Sequence, residues 1–303
     1  MVNSRHAKGG KRWNRNRRRR HYPPMSSERR QDIADLAQAV SGEYCPKGLV
    51  DPALVAEENR ISTSFGAYGN SFDGMLEYKD GSFHIFGNLD RLRQPDSPRA
   101  RFTLAHELGH YYIDSHRNTL SSGSAPSHLS RCEFESSQPA EQEADHFAAN
   151  LLMPEKRFRK SGKGIVTGFA SILRIAEEFG TSLTSTAVRY VSLDVFPCVL
   201  IKWHWRGYRW KCFSSSMFRR YFTQMFEIPE KLTDDCATLK ALAQQPVPDA
   251  GFFRNGTLSS AWFPFVKHDD FLDVVLVEEA IPMGRYGALT LLSALPDCPI
   301  FTP

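Results

Sequence analysis

The sequence predicts an α+β fold, and three observations lead to this prediction. A strand, a tight turn and a second strand are expected around Asp80-Gly81, a dipeptide typical of two-residue hairpins. Two helices with their own start signals follow, over residues 97–113 and 139–152. Beyond Pro197 the chain becomes rich in strand-forming residues. Separate runs of strands and helices are typical of the α+β class.

The elements of the first half follow from local patterns. Residues 28–40 place apolar side chains at helical spacing, and a second short helix is expected over residues 52–59. After the first hairpin, Ser97 is a suitable N-cap and Pro98 a suitable first residue of a helix. This helix is expected to end near Ile113.

The elements of the second half are less regular. Residues 115–137 are rich in Ser, His, Asn and Pro, so we expect a long surface loop. A helix starts at Pro139 and is stopped by Pro154. The remaining expected elements are, in chain order, two helices between residues 168 and 193 broken at Gly180-Thr181-Ser182, a hairpin around Arg206-Gly207, and apolar strands near residues 272–277 and 288–292.

Charge is distributed unevenly along the 303 residues. Residues 1–20 hold nine Lys and Arg and no acidic residue, which leaves 29 basic against 34 acidic residues in the rest of the chain. The folded body is therefore mildly acidic, at about −5, although the whole chain is formally +4. We expect residues 1–24 to form a disordered basic leader. A nucleic-acid-binding arm is the alternative, because Trp13 and Tyr22 are interspersed among clustered arginines there.

Two observations indicate a cytoplasmic protein. The basic start lacks the apolar stretch of a secretory signal, and no segment has the run of apolar residues that a membrane span needs. The six cysteines contain no C-x-x-C pair, so neither a cysteine-based zinc site nor a dense disulfide framework is expected.

The strongest chemical signal is the run His106-Glu107-Leu108-Gly109-His110, an H-E-x-x-H pattern. Two histidines four residues apart lie on one face of a helix, about 6 Å from each other, which suits two ligands of a tetrahedral Zn²⁺. Glu107 between them is the candidate general base. A catalytic zinc requires a third protein ligand.

Two residues of different chemical class are candidates for this third ligand. His116 has the spacing of the third histidine in H-E-x-x-H-x-x-G-x-x-H proteases, but Ile113 occupies the position where those proteases need a glycine for the turn. Glu141 lies on the second helix, with Asp145 one turn later on the same face. We therefore favour Glu141 as the ligand and expect Asp145 to accept the spare N–H of a ligating imidazole. Glu143 is out of phase with Glu141 and should not share the metal.

Such a site predicts hydrolysis of a peptide bond. Zinc lowers the pKa of water to about 7 and polarises the carbonyl group, while Glu107 takes a proton and passes it to the leaving nitrogen. A donor for the developing oxyanion should also exist. Spacing does not choose among its candidates, which are Tyr111, Tyr112, His116, His128 and His146.

Two longer segments resemble the paired signatures of the ImmA/IrrE metallo-endopeptidases. They are RFTLAHELGHYYID (residues 101–114) and EQEADHFAANLLMP (residues 141–154), and the likeness runs from Phe72 to Leu193. The resemblance implies a zincin-like fold, zinc held by the residues that match His106, His110 and Glu141, and Glu107 as the catalytic acid and base. It also implies a protein substrate, a helix-turn-helix repressor of stress, prophage or mobile-element circuits.

The resulting domain prediction has four parts. After the leader, we expect a zincin-like metallopeptidase domain over residues 25–165 and a helix-turn-helix-like helical pair over residues 166–195. Residues 196–303 are expected to form a strand-rich α+β accessory domain, which loosely resembles the sensor-like domains of some family members.

A different class of protein is compatible with two of these segments. The helix pair could read DNA, although Arg189 is the only base of its second helix and two acidic residues precede the turn. Residues 202–211 alternate bases with aromatics and could stack on single-stranded nucleic acid, or place Trp203, Trp205, Tyr208 and Trp210 over one face of a sheet. The alternatives to a protease are therefore a DNA-binding regulator with a structural zinc, and a toxin-antitoxin component.

Overall fold

The computed structural model describes residues 25–124, 127–130, 138–164, 167–217, 232–263 and 275–295. The basic leader predicted over residues 1–24 lies outside these ranges. Across the described part of the chain, no helix has both the length and the apolar character needed to cross a membrane. Helices and two sheets are present, so the predicted α+β class is confirmed.

The first sheet has the strand order β1-β3-β2-β4 in the described residues. Its strands are β1 (Ser62–Gly66), β2 (Gly74–Lys79), β3 (Ser82–Asn88) and β4 (His128–Ser130). Strand β1 runs parallel to β3, and the other pairs are antiparallel. The predicted hairpin is confirmed, because Lys79 pairs with Ser82 and both residues of the turn, Asp80 and Gly81, have positive φ angles of 50° and 83°.

Helices of the same half surround this sheet. They are α1 (Ser27–Tyr44), α2 (Pro52–Glu58), α3 (Leu89–Leu92), α4 (Pro98–Tyr112), α5 (Asp114–Ser121), α6 (Pro139–Leu152) and α7 (Glu155–Gly162). The predicted start of α4 is confirmed, because the Ala100 amide donates to Ser97 Oγ over 3.1 Å. The sequence patterns did not predict β1, α3 and α7.

The long loop expected over residues 115–137 is wrong in part. Helix α5 occupies its beginning and buries Leu120, and strand β4 follows at residues 128–130. Strand β4 has no apolar alternation of its own and is held by pairing with Gly74, Met75 and Leu76 of β2. Its existence depends on a partner about 55 residues earlier, which a local pattern does not reveal.

The predicted helix pair is confirmed as α8 (Gly168–Phe179) and α9 (Leu183–Ser192). Gly180 ends α8 in the left-handed conformation, with φ 59° and ψ 38°. Arg189 of α9 is buried and donates to Asn150 Oδ1 and to the Met153 carbonyl. The only base of the second helix therefore anchors it to α6 and does not face a nucleic acid.

The second sheet is antiparallel, in the order β6-β5-β9-β8-β7. Its strands are β5 (Cys198–His204), β6 (Gly207–Phe213), β7 (Phe253–Leu258), β8 (Val275–Pro282) and β9 (Ala288–Ala294), and the short helices α10 (Ala237–Leu242) and α11 (Ser259–Trp262) accompany them. The hairpin predicted around Arg206-Gly207 is confirmed. The strand predicted near residues 272–277 starts outside the described residues, and β8 continues five residues beyond its expected end.

The expectation that four aromatic residues cover one face of this hairpin is wrong. A register shift after Lys202 pairs Trp203 with Tyr208 and leaves Trp210 opposite Lys202, on the other face. Trp203 is buried beside Trp262, whereas Trp210 packs against the core under the helices. Trp205 lies in the turn and is 66% exposed.

Hydrophobic clusters on both faces of the second sheet hold it in place. Leu200 and Leu291 face the helices, and Val199 and Leu292 face α10. A polar contact joins the same two halves, because Glu279 of β8 is buried and accepts a hydrogen bond of 2.7 Å from the Phe169 amide in the first turn of α8. The division at residues 165 and 195 remains a prediction, and one core cluster passes across both positions.

Candidate metal centre

Close packing of helices α4 and α6 brings the candidate catalytic and metal-binding residues together. A Cβ atom at Gly109 would lie 3.1 Å from the Cα and 3.2 Å from the carbonyl oxygen of Ala144, so the two backbones approach as only glycine allows. Gly109 lies between the two histidines of the motif, and Ala144 lies one turn after Glu141. The contact therefore places the acidic helix directly against the histidine face of α4.

Three side chains converge at this crossing. His106, His110 and Glu141 are buried, and one donor atom from each lies within 4.8 Å of the others. The distances are 3.1 Å between the two histidine Nε2 atoms, 3.5 Å from His106 Nε2 to Glu141 Oε2, and 3.5 Å from His110 Nε2 to Glu141 Oε1.

This spacing fits a zinc ion. Donor atoms bound about 2.0–2.1 Å from one tetrahedral zinc lie about 3.3 Å from each other, and the observed separations fall on both sides of that value. Two imidazoles and one carboxylate are also the donor set of several catalytic zinc sites. The residues present can therefore hold the metal that the sequence predicts, although their geometry alone does not select zinc among divalent cations.

Asp145 lies where the sequence predicts a residue that accepts the spare N–H of a ligating imidazole. Its Oδ1 lies 2.8 Å from His106 Nδ1. The Nδ1–H of a neutral His106 donates to this carboxylate, which leaves the Nε2 lone pair facing His110 and Glu141. The tautomer that Asp145 selects is therefore the one a metal ligand needs.

The protonation states favoured by the surroundings also suit a metal. Burial lowers the pKa of His110 to about 3, so the imidazole is neutral near pH 7. Burial alone would raise the pKa of Glu141, but hydrogen bonds with His106, His110 and His128 outweigh it and hold that pKa far below its usual range. Neutral imidazoles beside an ionised carboxylate are the ligand forms of these side chains.

Glu107 is fully buried, and the Ser130 hydroxyl lies beside its carboxylate. Burial raises its pKa to about 7, and the neighbouring His106 offsets part of that rise. Gly74 of β2 provides the space, because a Cβ atom there would lie 2.7 Å from Glu107 Oε1. A buried carboxylate poised near neutral pH is suited to accept and return a proton.

The less favoured ligand candidate His116 and the out-of-phase Glu143 pair with each other. His116 Nε2 is 3.3 Å from Glu143 Oε2, and Arg29 binds the same Glu143 carboxylate. Glu143 faces α1, as its helical phase predicts. His116 therefore belongs to a neighbouring ion-pair cluster and not to the triad.

Two of the candidate oxyanion donors contact the triad: His116, whose ring centroid is 5.0 Å from that of His110, and His128. Tyr111 packs edge-on against Phe83, Tyr112 stacks on Phe147, and His146 bonds to the Arg30 carbonyl. His128 of β4 instead forms a short hydrogen bond through Nε2 with Glu141 Oε1, and its ring centroid is 4.1 Å from that of His110. Sequence spacing did not single out His128, because strand β4 was not predicted.

The α+β fold is zincin-like. Its helices bring together a candidate metal site of the metallopeptidase kind, made of two imidazoles, a carboxylate from a second helix and a nearby buried glutamate. Residues 93–190 match the family model Peptidase_M78, described as the IrrE N-terminal-like domain. The chain therefore contains an IrrE N-terminal-like domain, and the resemblance to the ImmA/IrrE family is confirmed there. The matched segment includes both helices of the site.

A solved structure shares the fold over most of the chain. It is the "Mycobacterium tuberculosis transcriptional regulator", with a TM-score of 0.55, 14% sequence identity, and coverage of 87% of this chain and 88% of that chain. At this identity the likeness concerns the fold alone. A comparison with curated protein sequences finds no match.

Proposed function

We propose that this protein is a zinc-dependent endopeptidase that hydrolyses a peptide bond in a specific partner protein. The observation that carries the proposal is the triad of His106, His110 and Glu141, with the buried carboxylate of Glu107 beside it. The metal-ligand roles of the triad, the support from Asp145 and the catalytic role of Glu107 are parts of the same proposal.

The proposed mechanism assigns one chemical task to each residue. A zinc ion held by the triad supplies Lewis acidity, which makes water a better acid and the peptide carbonyl a better electrophile. Glu107 accepts a proton from the attacking water and then delivers it to the nitrogen of the leaving amine. Asp145 keeps His106 in the tautomer that presents Nε2 to the centre.

The proposed substrate is a helix-turn-helix repressor whose gene lies next to the gene of this protein. The resemblance to the ImmA/IrrE family supports this choice, since its members cleave such repressors.

A DNA-binding regulator with a structural zinc is the alternative from another class. Its sequence basis was the helix pair, the aromatic hairpin and the basic leader, and the only base of the second helix of that pair is buried against α6. Sequence-selective binding to a DNA duplex that survives removal of residues 1–20 would favour this alternative.

Three variants test the proposal. Glu107→Gln should retain zinc and partner binding and lose cleavage, when wild type and variant are co-expressed with candidate adjacent repressors. Glu141→Ala should lose bound zinc, as measured by metal analysis of the purified protein. Glu143→Ala is the matched control, because it lies two residues away on the same helix but pairs with Arg29, so zinc should remain. Cleavage by Glu107→Gln at the wild-type rate, or zinc retained in Glu141→Ala, contradicts the proposal.

A further inference from the structure

We propose that His128 is a catalytic residue that donates a hydrogen bond to the carbonyl oxygen of the scissile peptide as negative charge develops on it. This assignment rests on the proposed function and adds a fourth group to the site. It concerns an edge strand of the first sheet, which contributes no ligand to the triad.

The first argument is position. His128 Nε2 forms a short hydrogen bond with Glu141 Oε1, the oxygen that also lies 3.5 Å from His110 Nε2. The ring nitrogen of His128 is thus within one hydrogen-bond length of a ligand atom. The three donor atoms of the triad all lie within 4.8 Å of one another, and no donor atom of His128 belongs to that set. His128 therefore borders the triad without joining it.

The second argument is exposure. The side chains of His106 and His110 are 1% and 2% exposed and that of Glu141 is 9% exposed, whereas that of His128 is 28% exposed. His128 therefore forms the solvent-facing wall of the centre. This imidazole is therefore more accessible than the three triad side chains to a carbonyl group that enters from solvent.

The third argument is the direction of strand β4. Side chains two residues apart point to the same side of a strand, so His128 and Ser130 face the site while Leu129, which is 56% exposed, points away. The Ser130 hydroxyl is buried beside the Glu107 carboxylate, whose pKa it helps to lower. Strand β4 thus places the His128 imidazole beside Glu141 and the Ser130 hydroxyl beside Glu107.

These positions match the two sites of charge movement in peptide hydrolysis. Negative charge develops on the carbonyl oxygen, where a neutral imidazole with its proton on Nε2 can donate. The proton moves through Glu107 toward the leaving nitrogen, at the end of the strand occupied by Ser130. No proton leaves His128 in this scheme, so it acts by electrostatic stabilisation and not as an acid.

A small oxygen ligand of the metal tests the assignment without a known substrate. The probe is acetohydroxamate, and the protein is the full chain loaded with Co²⁺, whose visible spectrum reports its coordination. We expect His128→Ala to bind one Co²⁺ with the wild-type spectrum and to bind acetohydroxamate about 10- to 100-fold more weakly, since it loses a hydrogen bond to a charged group. His128→Gln keeps an N–H donor and should recover much of the affinity. Leu129→Ala, on the opposite face of the same strand, should equal wild type.

Two outcomes of this experiment would overturn the assignment. A changed Co²⁺ spectrum or lost Co²⁺ in His128→Ala would make the residue a ligand, and an unchanged acetohydroxamate affinity would remove it from the site. Once a cleaved partner is known, kcat for His128→Ala should fall about 10²- to 10³-fold with little change in KM. If wild type binds Co²⁺ and acetohydroxamate but cleaves no partner, the proposed function fails while the role of His128 in binding the probe is still measured.

Discussion

Replacing Gly109 with alanine would place a methyl group between helices α4 and α6. The new Cβ atom would lie 3.1 Å from Ala144 Cα and 3.3 Å from Phe147 Cβ, closer than ordinary van der Waals contact. The first of these neighbours is a backbone atom of a helix packed against both α1 and α4, so the helix must move as a whole. Overpacking of this kind costs about 1–3 kcal/mol, against a gain of up to about 1 kcal/mol from helix propensity.

We therefore expect Gly109→Ala to lower the free energy of unfolding by about 1 kcal/mol in a urea titration. Glu141 lies one turn from Ala144, so the same displacement should weaken zinc binding about tenfold in a competition with a chelator. Gly42→Ala provides the control, because Gly42 is also helical and a Cβ atom there has nothing within 4 Å. That variant should be as stable as wild type or slightly more stable. Equal stability of the two variants, with unchanged zinc affinity in Gly109→Ala, would refute the argument that the helices require glycine at this crossing.

Three further predictions concern residues around the site. Asp145→Asn should bind zinc about 10- to 100-fold more weakly in a chelator competition, because it removes the carboxylate that orients His106. Gly74→Ala should keep its zinc but lose most activity, since the added Cβ atom would lie 2.7 Å from a carboxylate oxygen of Glu107 and must displace it; full activity would contradict this. Burial tends to raise the pKa of Asp73, but hydrogen bonds from two arginines outweigh burial and lower that pKa. The stabilising effect of the Asp73 carboxylate should therefore be complete above about pH 5 and should decline as pH falls through the range where an unfolded aspartate protonates. Urea titrations across this pH range should show the stability difference between wild type and Asp73→Asn shrinking toward acid pH, and a constant difference would contradict the assignment.

The metal triad could be predicted from the sequence because each part depends on helical spacing. His106 and His110 are one turn apart, as are Glu141 and Asp145, and both helices carry recognisable start signals. The same periodicity placed Glu143 on another face, where its carboxylate pairs with Arg29 and His116. Only the packing of one helix against the other could not be predicted from these patterns.

His128 could not be predicted in the same way. It lies on a three-residue strand in a polar segment, and backbone pairing with β2 creates that strand. The distribution of the hairpin aromatics failed for a related reason, since the register shift after Lys202 depends on how two strands pair and not on either strand alone. Long-range backbone pairing is thus the part of this fold that local patterns do not contain.

The hydrogen bond between Glu279 and the Phe169 amide has a consequence for cooperativity. A carboxylate from the second sheet satisfies an amide in the first turn of α8, and burial raises the pKa of that carboxyl group. Helix α8 and strand β8 therefore share one buried polar bond in addition to their apolar contacts. A displacement of β8 would uncap α8, which shares a core cluster with the helices of the first half. The stability of the second sheet is therefore linked to that of this core, and neither can open without a cost to the other.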